Sequence, residues 1–441
     1  MKHYNYKSLE IKKCRACDSS ALEDILSLGT QYLSDFTIGN KKPEKYPLSI
    51  MLCNDCSLLQ LKHNVPQSSL YTERYGYKSG MNLTMRKELK EIVDKTLSKL
   101  KQKEDMTAVD IGANDGTLLS NYSDKVFKIG IEPIKKFAKE CGLKANVIIN
   151  DFFNYKLYFS KVGKRKADII TIISCFYDME KPNIFLSDVK KIMNDDGIIT
   201  IQQNYLASML RNNAFDNIVH EHLEYYSLLS LENLLKRHQL EIFDIEEDGM
   251  NGGSFRTYIS NIGKRKISKA VVNMRIRERK INLKNKKIYM DFAQKVEKNK
   301  NKLSKLILKL LKENKKIYIY GASTRGNTLL QYCGLDCKSI KAAVERNSEK
   351  WGKKIASVGV PIISVVFQGG IFKTRKKISS RRRTFYFSLT QIRGYLKLYF
   401  NFKIVMNASF ISAKLKLDLL ISLWTKLNGI SPKDPPFLYI L

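Results

Sequence analysis

The chain has 441 residues, and 77 Lys and Arg against 43 Asp and Glu give it a formal charge of +34. That length suggests two or three domains and a core large enough to stand without disulfides. With 44% hydrophobic residues, 10% aromatic residues and 9 Pro, the composition excludes a disordered tail or a fibre.

No apolar run reaches the roughly 18 residues of a membrane helix. The opening MKHYNYKSLEIKKC lacks the apolar centre of a secretory signal, so a cytoplasmic protein is expected. The charge is spread rather than focused. Residues 365–441 hold 14 Lys and Arg and 2 acids, net +12, and the preceding residues carry +22, mostly as Lys. No Arg-rich reader helix or basic-aromatic RNA motif is present, so a nucleic-acid partner is not expected.

In chain order, Cys14-Arg-Ala-Cys17 and Cys53-Asn-Asp-Cys56 come first, 35 residues apart. Each CxxC sets two thiolates on one tight turn, and two such turns complete a tetrahedral Zn²⁺ shell. Four Cys ligands leave no open position, so the metal is expected to be structural. Disulfides are disfavoured in a cytosolic chain. Residues 1–70 read as a zinc-binding domain. Helical spacing follows from Met85 to Leu100.

Within a domain read over residues 71–262, residues 104–260 alternate apolar strands with amphipathic helices. Ala108-Val-Asp-Ile-Gly-Ala-Asn-Asp-Gly-Thr117 reads as a buried strand, a Gly turn and a helix. Gly112 allows close approach of a ligand to the backbone, and Gly116 relieves the turn. The turn is neither a P-loop nor a full GxGxxG fingerprint. The next strand ends at Glu132, where a carboxylate can accept from both ribose hydroxyls. Asn150-Asp-Phe-Phe153 adds an acid, Asp151, and an aromatic wall for adenine. Two carboxylates with few phosphate donors favour an adenosine ligand without phosphates, such as S-adenosylmethionine.

Further on, Phe215-Asp-Asn-Ile-Val-His-Glu-His-Leu-Glu-Tyr-Tyr226 contains two of the five histidines. His220-Glu221-His222 follows the strand Gly197–Gln202, at the mouth of such a sheet, where ligands bind. It can supply a general base, with Glu221 orienting an imidazole or holding substrate. Gly252-Gly253-Ser254 permits close approach of substrate or makes a plain turn. Arg256 could meet a diphosphate or lie on the surface.

Residues 263–316 are Lys-rich, with helical spacing at Val296, Leu303, Leu306, Ile307, Leu310 and Leu311. Residues 317–364 open a second strand–turn–helix unit, Tyr318-Ile-Tyr-Gly-Ala-Ser-Thr-Arg-Gly-Asn-Thr328. The helix N-terminus there offers N–H groups to an anion.

Taken together, CRAC, MLCNDCSLLQL, YGYKSGMN, VDIGANDGTLL, FDNIVHEHLEYY, NGGSFRTYIS and YGASTRGNTLLQYCGL resemble the nucleotide-sugar C-methyltransferase family. The resemblance spans residues 12–364. It implies an α/β protein with a zinc-binding N-terminal module, a central Rossmann-like class I methyltransferase domain and a second Rossmann-like domain over 263–364. It implies methylation, from S-adenosylmethionine, of a carbon next to the ketone of a nucleotide-linked keto-deoxysugar.

In that family His222 corresponds to the base, beside Glu221, and Tyr77 falls in the Tyr-rich substrate motif. Tyr77, His220 and Asn251 are candidate donors to the enolate. Asp110, Gly112, Asn114, Gly116, Glu132, Asp151 and Phe152 form the expected cofactor set. Asn251, Gly253, Ser254 and Arg325 form the substrate set. Monomer and dimer both stay open. An O-methyltransferase on a similar sugar, a zinc-ribbon nucleic-acid binder and an inactive scaffold are the alternative readings.

Past Ser364 the family pattern stops. Residues 365–441 read as a divergent basic tail, consistent with a shifted reading frame. That would leave the third domain truncated, with an unpaired sheet edge. A basic tail that binds a membrane or nucleic acid is the rival reading.

Overall fold

A computed structural model describes residues 9–39, 41–71, 76–81, 83–101, 103–249 and 252–364, and the backbone of 384–388. Three sheets organise it. The first is built on β1 (Leu22–Tyr32), with β2 (Phe36–Thr37) leaving it and β3 (Lys45–Cys53) and β4 (Leu59–Leu61) completing its antiparallel ladder.

The central sheet contains β5 (Thr107–Ile111), β6 (Phe127–Ile131), β7 (Val147–Ile149), β8 (Ala167–Ile173) and β9 (Met193–Asn204). β10 (Glu224–Tyr225) departs to the first sheet, and β11 (Leu240–Asp248) and β12 (Ser254–Asn261) close the central one. Its order is β11-β12-β9-β8-β5-β6-β7. Only β12 runs against its neighbours. All five residues of β5 are buried, as expected for a parallel strand covered on both faces. The chain leaves β5 towards β6 and β7 on one side and returns to β8 and β9 on the other. The crevice at the strand ends beside β5 and β8 is therefore the topological switch point, where ligands bind.

The helix Leu83–Leu97 covers one face with Leu89, Ile92, Val93 and Thr96, three-to-four-residue steps that align one helical stripe. The Lys-rich stretch forms two helices, Lys269–Ile281 and Lys286–Lys312. In the longer one Tyr289, Phe292, Val296, Ile307 and Leu310 are buried, and most of its lysines face outward.

The third sheet takes β13 (Lys316–Tyr320), β14 (Ala342–Glu345), β15 (Lys354–Ile355), β16 (Val360–Ser364) and β17 (Thr384–Ser388). One strand from beyond Ser364 extends the sheet past β13 and stands at its edge among the described residues. Residues 384–388 lie parallel to β13, from Lys316 opposite Thr384 to Tyr320 opposite Ser388. The rest of the tail lies outside the described residues.

Two strands cross between modules. β10, directly after the His-Glu-His segment, pairs with β4, and β2 pairs with β15. The apolar cores merge accordingly. Cys14, Ala16, Cys53, Cys56 and Leu58 pack with the central sheet. Ile25, Leu48 and Ile50 pack with the 206–225 segment, the long helix and β13.

Arg256, one candidate diphosphate contact, is instead 2% exposed within β12. Its Nη2 donates to Glu88 at 2.6 Å and its Nε to Gln202 at 2.7 Å. Its Nη1 faces Glu246 at 3.4 Å. Removing one partner of such a buried network leaves charge uncompensated. Glu88→Ala is expected to cost on the order of 3 kcal/mol, read as a lower urea midpoint at unchanged slope.

Candidate active site and zinc centre

The four cysteines Cys14, Cys17, Cys53 and Cys56 converge with all sulfurs within 4.8 Å of one another. Cys14 and Cys56 are 3.5 Å apart at sulfur, as are Cys17 and Cys53. Tetrahedral Zn²⁺ with bonds of about 2.3 Å sets sulfurs about 3.8 Å apart, so the donor set fits that ion. Among the described residues no other group of three or more His, Cys, Asp or Glu side chains gathers this way. Arg15, inside the first knuckle, donates to the Leu61 carbonyl at 2.7 Å and to Gln60 Oε1 at 3.2 Å. Its Nε lies 3.9 Å from Glu224 of β10.

At the switch point, Gly112 has φ +75°, and a Cβ there would meet Cys175 Sγ at 2.9 Å. Gly116 has φ +72° and lies against Cys141. Glu132 follows β6 and accepts from the Asn114 N–H at 2.9 Å and the Ile134 N–H at 2.8 Å. Burial raises its carboxyl above the usual range, and the two N–H groups oppose this. Asn150 donates to the Glu132 carbonyl, which brings Asp151 and Phe152 to the same rim. Both are exposed, and Phe152 stacks edge-on with Tyr71 at 5.9 Å.

Asp110 departs from its expected role. It is buried below the turn, accepts from the Thr171 hydroxyl at 2.6 Å, and is pushed up to about 7 by burial. It braces the strand. The Asn114 side chain meets the Tyr77 segment.

The histidines separate. His220 is buried, and its Nε2 donates to the Tyr46 carbonyl of β3 at 3.1 Å. It faces the zinc-binding module rather than the cleft, which removes it as an enolate donor. His222 is half-buried. Its Nδ1 lies 3.0 Å from the Asn217 carbonyl. A carbonyl only accepts, so Nδ1 carries the proton and Nε2 keeps its lone pair. Burial lowers its pKa to about 4, helped by the charge of Arg325 and opposed by the Asn217 contact. Glu221 is pushed up to about 7 by burial.

Tyr177 packs edge-on to His222 at 4.4 Å, and its carbonyl accepts from the Leu223 N–H. Tyr71 donates to Asp178 at 3.1 Å. Sequence reasoning missed this Tyr177–Asp178 pair. Its only signal was its place in the loop after β8, where the switch point falls.

Arg325 reaches across from the third domain and donates to Asp216 Oδ2 at 2.6 Å. Gly253 has φ +115°, and a Cβ there would meet Ser208 at 2.4 Å. It is therefore required for packing, and its carbonyl accepts from the Tyr205 N–H. Ser254 is buried opposite Asn204, and Asn251 lies outside the described residues. Tyr77 is half exposed.

A seven-stranded sheet with one reversed strand, a Gly turn and carboxylate at its switch point, and an imidazole packed on Tyr177 of the loop after β8 fit the class of α/β methyltransferases. The chain matches a methyltransferase domain over residues 81–245, flanked by a zinc-binding domain over 14–71 and a C-methyltransferase C-terminal domain over 249–366. The three matches stand in this order along the chain, and in it the chain is similar to C-methyltransferases that carry an N-terminal zinc-binding domain.

It is 25% identical over 362 residues to the C-methyltransferase NovU of Streptomyces niveus, covering 80% of this chain and 86% of that protein. Among solved structures, an S-adenosylmethionine-dependent methyltransferase from Clostridium acetobutylicum is 16% identical at a TM-score of 0.31, over 40% of this chain and 92% of that one. The N-methyltransferase NodS from Bradyrhizobium japonicum is 10% identical at a TM-score of 0.32, over 41% and 98%. No helix among the described residues is long and apolar enough to cross a membrane.

Wild-type protein is expected to hold about one zinc per chain. Cys53→Ser should lower the zinc content and move the melting transition down. Metal analysis and calorimetry check both.

Proposed function

We propose that the chain transfers a methyl group from S-adenosylmethionine to a carbon next to the ketone of a nucleotide-linked keto-sugar. The observation that carries this reading is the His222 tautomer. Its Nδ1 is fixed on the Asn217 carbonyl, so Nε2 is left as an acceptor. Glu132 would take the ribose hydroxyls, with Gly112 allowing the cofactor close to the backbone and Phe152 beside the adenine. When bound, S-adenosylmethionine supplies an electrophilic methyl on a sulfonium.

His222 Nε2 takes the proton from the carbon next to the ketone, and electron density moves onto the ketone oxygen. S-adenosylmethionine held by Glu132 and the Gly112 turn would supply the methyl that this enolate carbon accepts, with S-adenosylhomocysteine as the co-product. The proton stays on His222 until solvent removes it after release. Held near pKa 4, the imidazole is neutral at pH 7 and ready to accept. A sugar diphosphate beside Arg325 would offset the cationic charge that depresses it and make it a stronger base in the complex. Tyr77, half exposed, supports the reading as a donor to the enolate oxygen. Gly253 and Ser254 would then act through packing of the cleft floor.

His222→Ala is expected to lower turnover by at least about a hundredfold while leaving S-adenosylhomocysteine affinity nearly unchanged by calorimetry. Surviving turnover removes His222 as the base. The pH profile separates it from Glu221. With His222 as base, kcat/KM stays flat from about pH 8 to about pH 6 and falls only towards pH 4, because activity needs the unprotonated ring. An acid limb near pH 7 that disappears in Glu221→Gln would assign proton removal to Glu221 instead.

A further inference from the structure

The segment Tyr77–Met81 lies over the cofactor turn with little apolar burial to hold it. Tyr77 and Met81 are half exposed, and Leu83 just beyond is 60% exposed. Hydrogen bonds hold it instead. Asn114 Oδ1 accepts from the Ser79 N–H at 2.9 Å, and Asn114 Nδ2 donates to the Tyr77 carbonyl at 3.1 Å. The next turn residue, Asp115, accepts from the Gly80 N–H at 3.0 Å. Contact is so close at Gly80 that a Cβ would stand 2.4 Å from Asp115 Oδ2 and 2.8 Å from Thr117 Oγ1.

Asn114 sits at φ +49°, a left-handed conformation that Asn tolerates better than most residues. That conformation turns its two ends to different tasks. Its backbone N–H holds Glu132 Oε2 at 2.9 Å, and its side-chain amide holds the segment that carries Tyr77.

We propose that Asn114 is a positioning residue that couples the cofactor carboxylate to the Tyr77 segment, so that cofactor and keto-sugar each strengthen binding of the other. The inference rests on the cofactor and substrate assignments proposed above. Any hydrogen bond from a ribose to Glu132 is made to a carboxylate already fixed by the Asn114 backbone. It therefore favours the turn geometry in which the amide meets Tyr77 and Ser79. Linkage makes the effect reciprocal: a sugar that engages Tyr77 favours the same geometry and tightens the cofactor. The expected coupling is about tenfold in affinity.

Asn114→Gly is the informative variant, because glycine takes the same positive φ without strain and keeps the N–H to Glu132. S-adenosylhomocysteine serves as the probe, read by calorimetry and by amide hydrogen exchange at Ser79 and Gly80. In wild type, its binding should slow exchange at both amides by about tenfold. In Asn114→Gly the probe should bind within about threefold of wild type, while the added protection at Ser79 disappears. In turnover, kcat should fall and the sugar KM rise, with the S-adenosylmethionine KM little changed.

Asn114→Asp keeps the acceptor for Ser79 but sets a carboxylate against the Tyr77 carbonyl. It should retain Ser79 protection but show the same fall in kcat and rise in sugar KM as Asn114→Gly. Cofactor-dependent protection that persists in Asn114→Gly overturns the coupling. Failure of wild type to bind S-adenosylhomocysteine overturns the cofactor assignment, and the coupling with it.

Discussion

The rest of the structure depends on the zinc-binding module having only a small hydrophobic cluster of its own, Leu33, Tyr46 and Val65. Small modules bury too little surface to fold unaided and call on metals or partners. Here both supports are used. The knuckle residues Cys14, Ala16, Cys53 and Cys56 pack into the core under the central sheet, while the outer strands pack with the third domain. Backbone pairing follows the same division, since β10 continues β4 and β2 continues the third sheet through β15. A bidentate amide contact, Gln331 with the backbone of Tyr32, closes the second seam.

This arrangement fixes the His222 loop through the backbone. The His-Glu-His segment has no regular structure of its own. It is held at its end by β10 on β4, at His220 by the Tyr46 carbonyl, and at Asp216 by Arg325. Three modules thus converge on one loop, and the imidazole that faces the cleft is the one left over after these anchors are made. Its pKa follows from the same packing, because burial between modules disfavours the charged ring.

Much of this was legible in the sequence. Glycines with carboxylates one strand later mark a local geometry, because a parallel strand, its turn and its helix are consecutive in the chain. CxxC pairs likewise specify a metal by local turns. What stayed hidden involves residues paired across long separations. Asp110 lies within the expected cofactor motif, but only the fold reveals Thr171 beneath it. Arg256 has a motif-like place, yet its partner Glu88 lies 168 positions away. His220 and His222 are two residues apart in sequence and face different modules, a division set by β3 and not by any spacing within the motif. The tail beyond Ser364 offered no family pattern, and the strand at 384–388 beside β13 could not be read from it.

The two Gly turns show how one local device serves two ends. In the first, Glu132 accepts the Asn114 and Ile134 N–H groups. In the second, Glu345 at the end of β14 accepts the Ala322, Arg346 and Asn347 N–H groups. Each carboxylate stabilises the turn whose N–H groups point at it. The surroundings differ. Beside Glu132 the neighbouring loop supplies exposed Asp151 and Phe152, which leaves an open rim. Beside Glu345, Lys350 donates to the Ala322 carbonyl and stacks on Phe36 of the zinc-binding module at 4.3 Å. The helix that follows sends Arg325 to Asp216. The second turn thus has its polar groups engaged in joining the third domain to the other two. Through Arg325 it also bears on the position of the loop that carries His222.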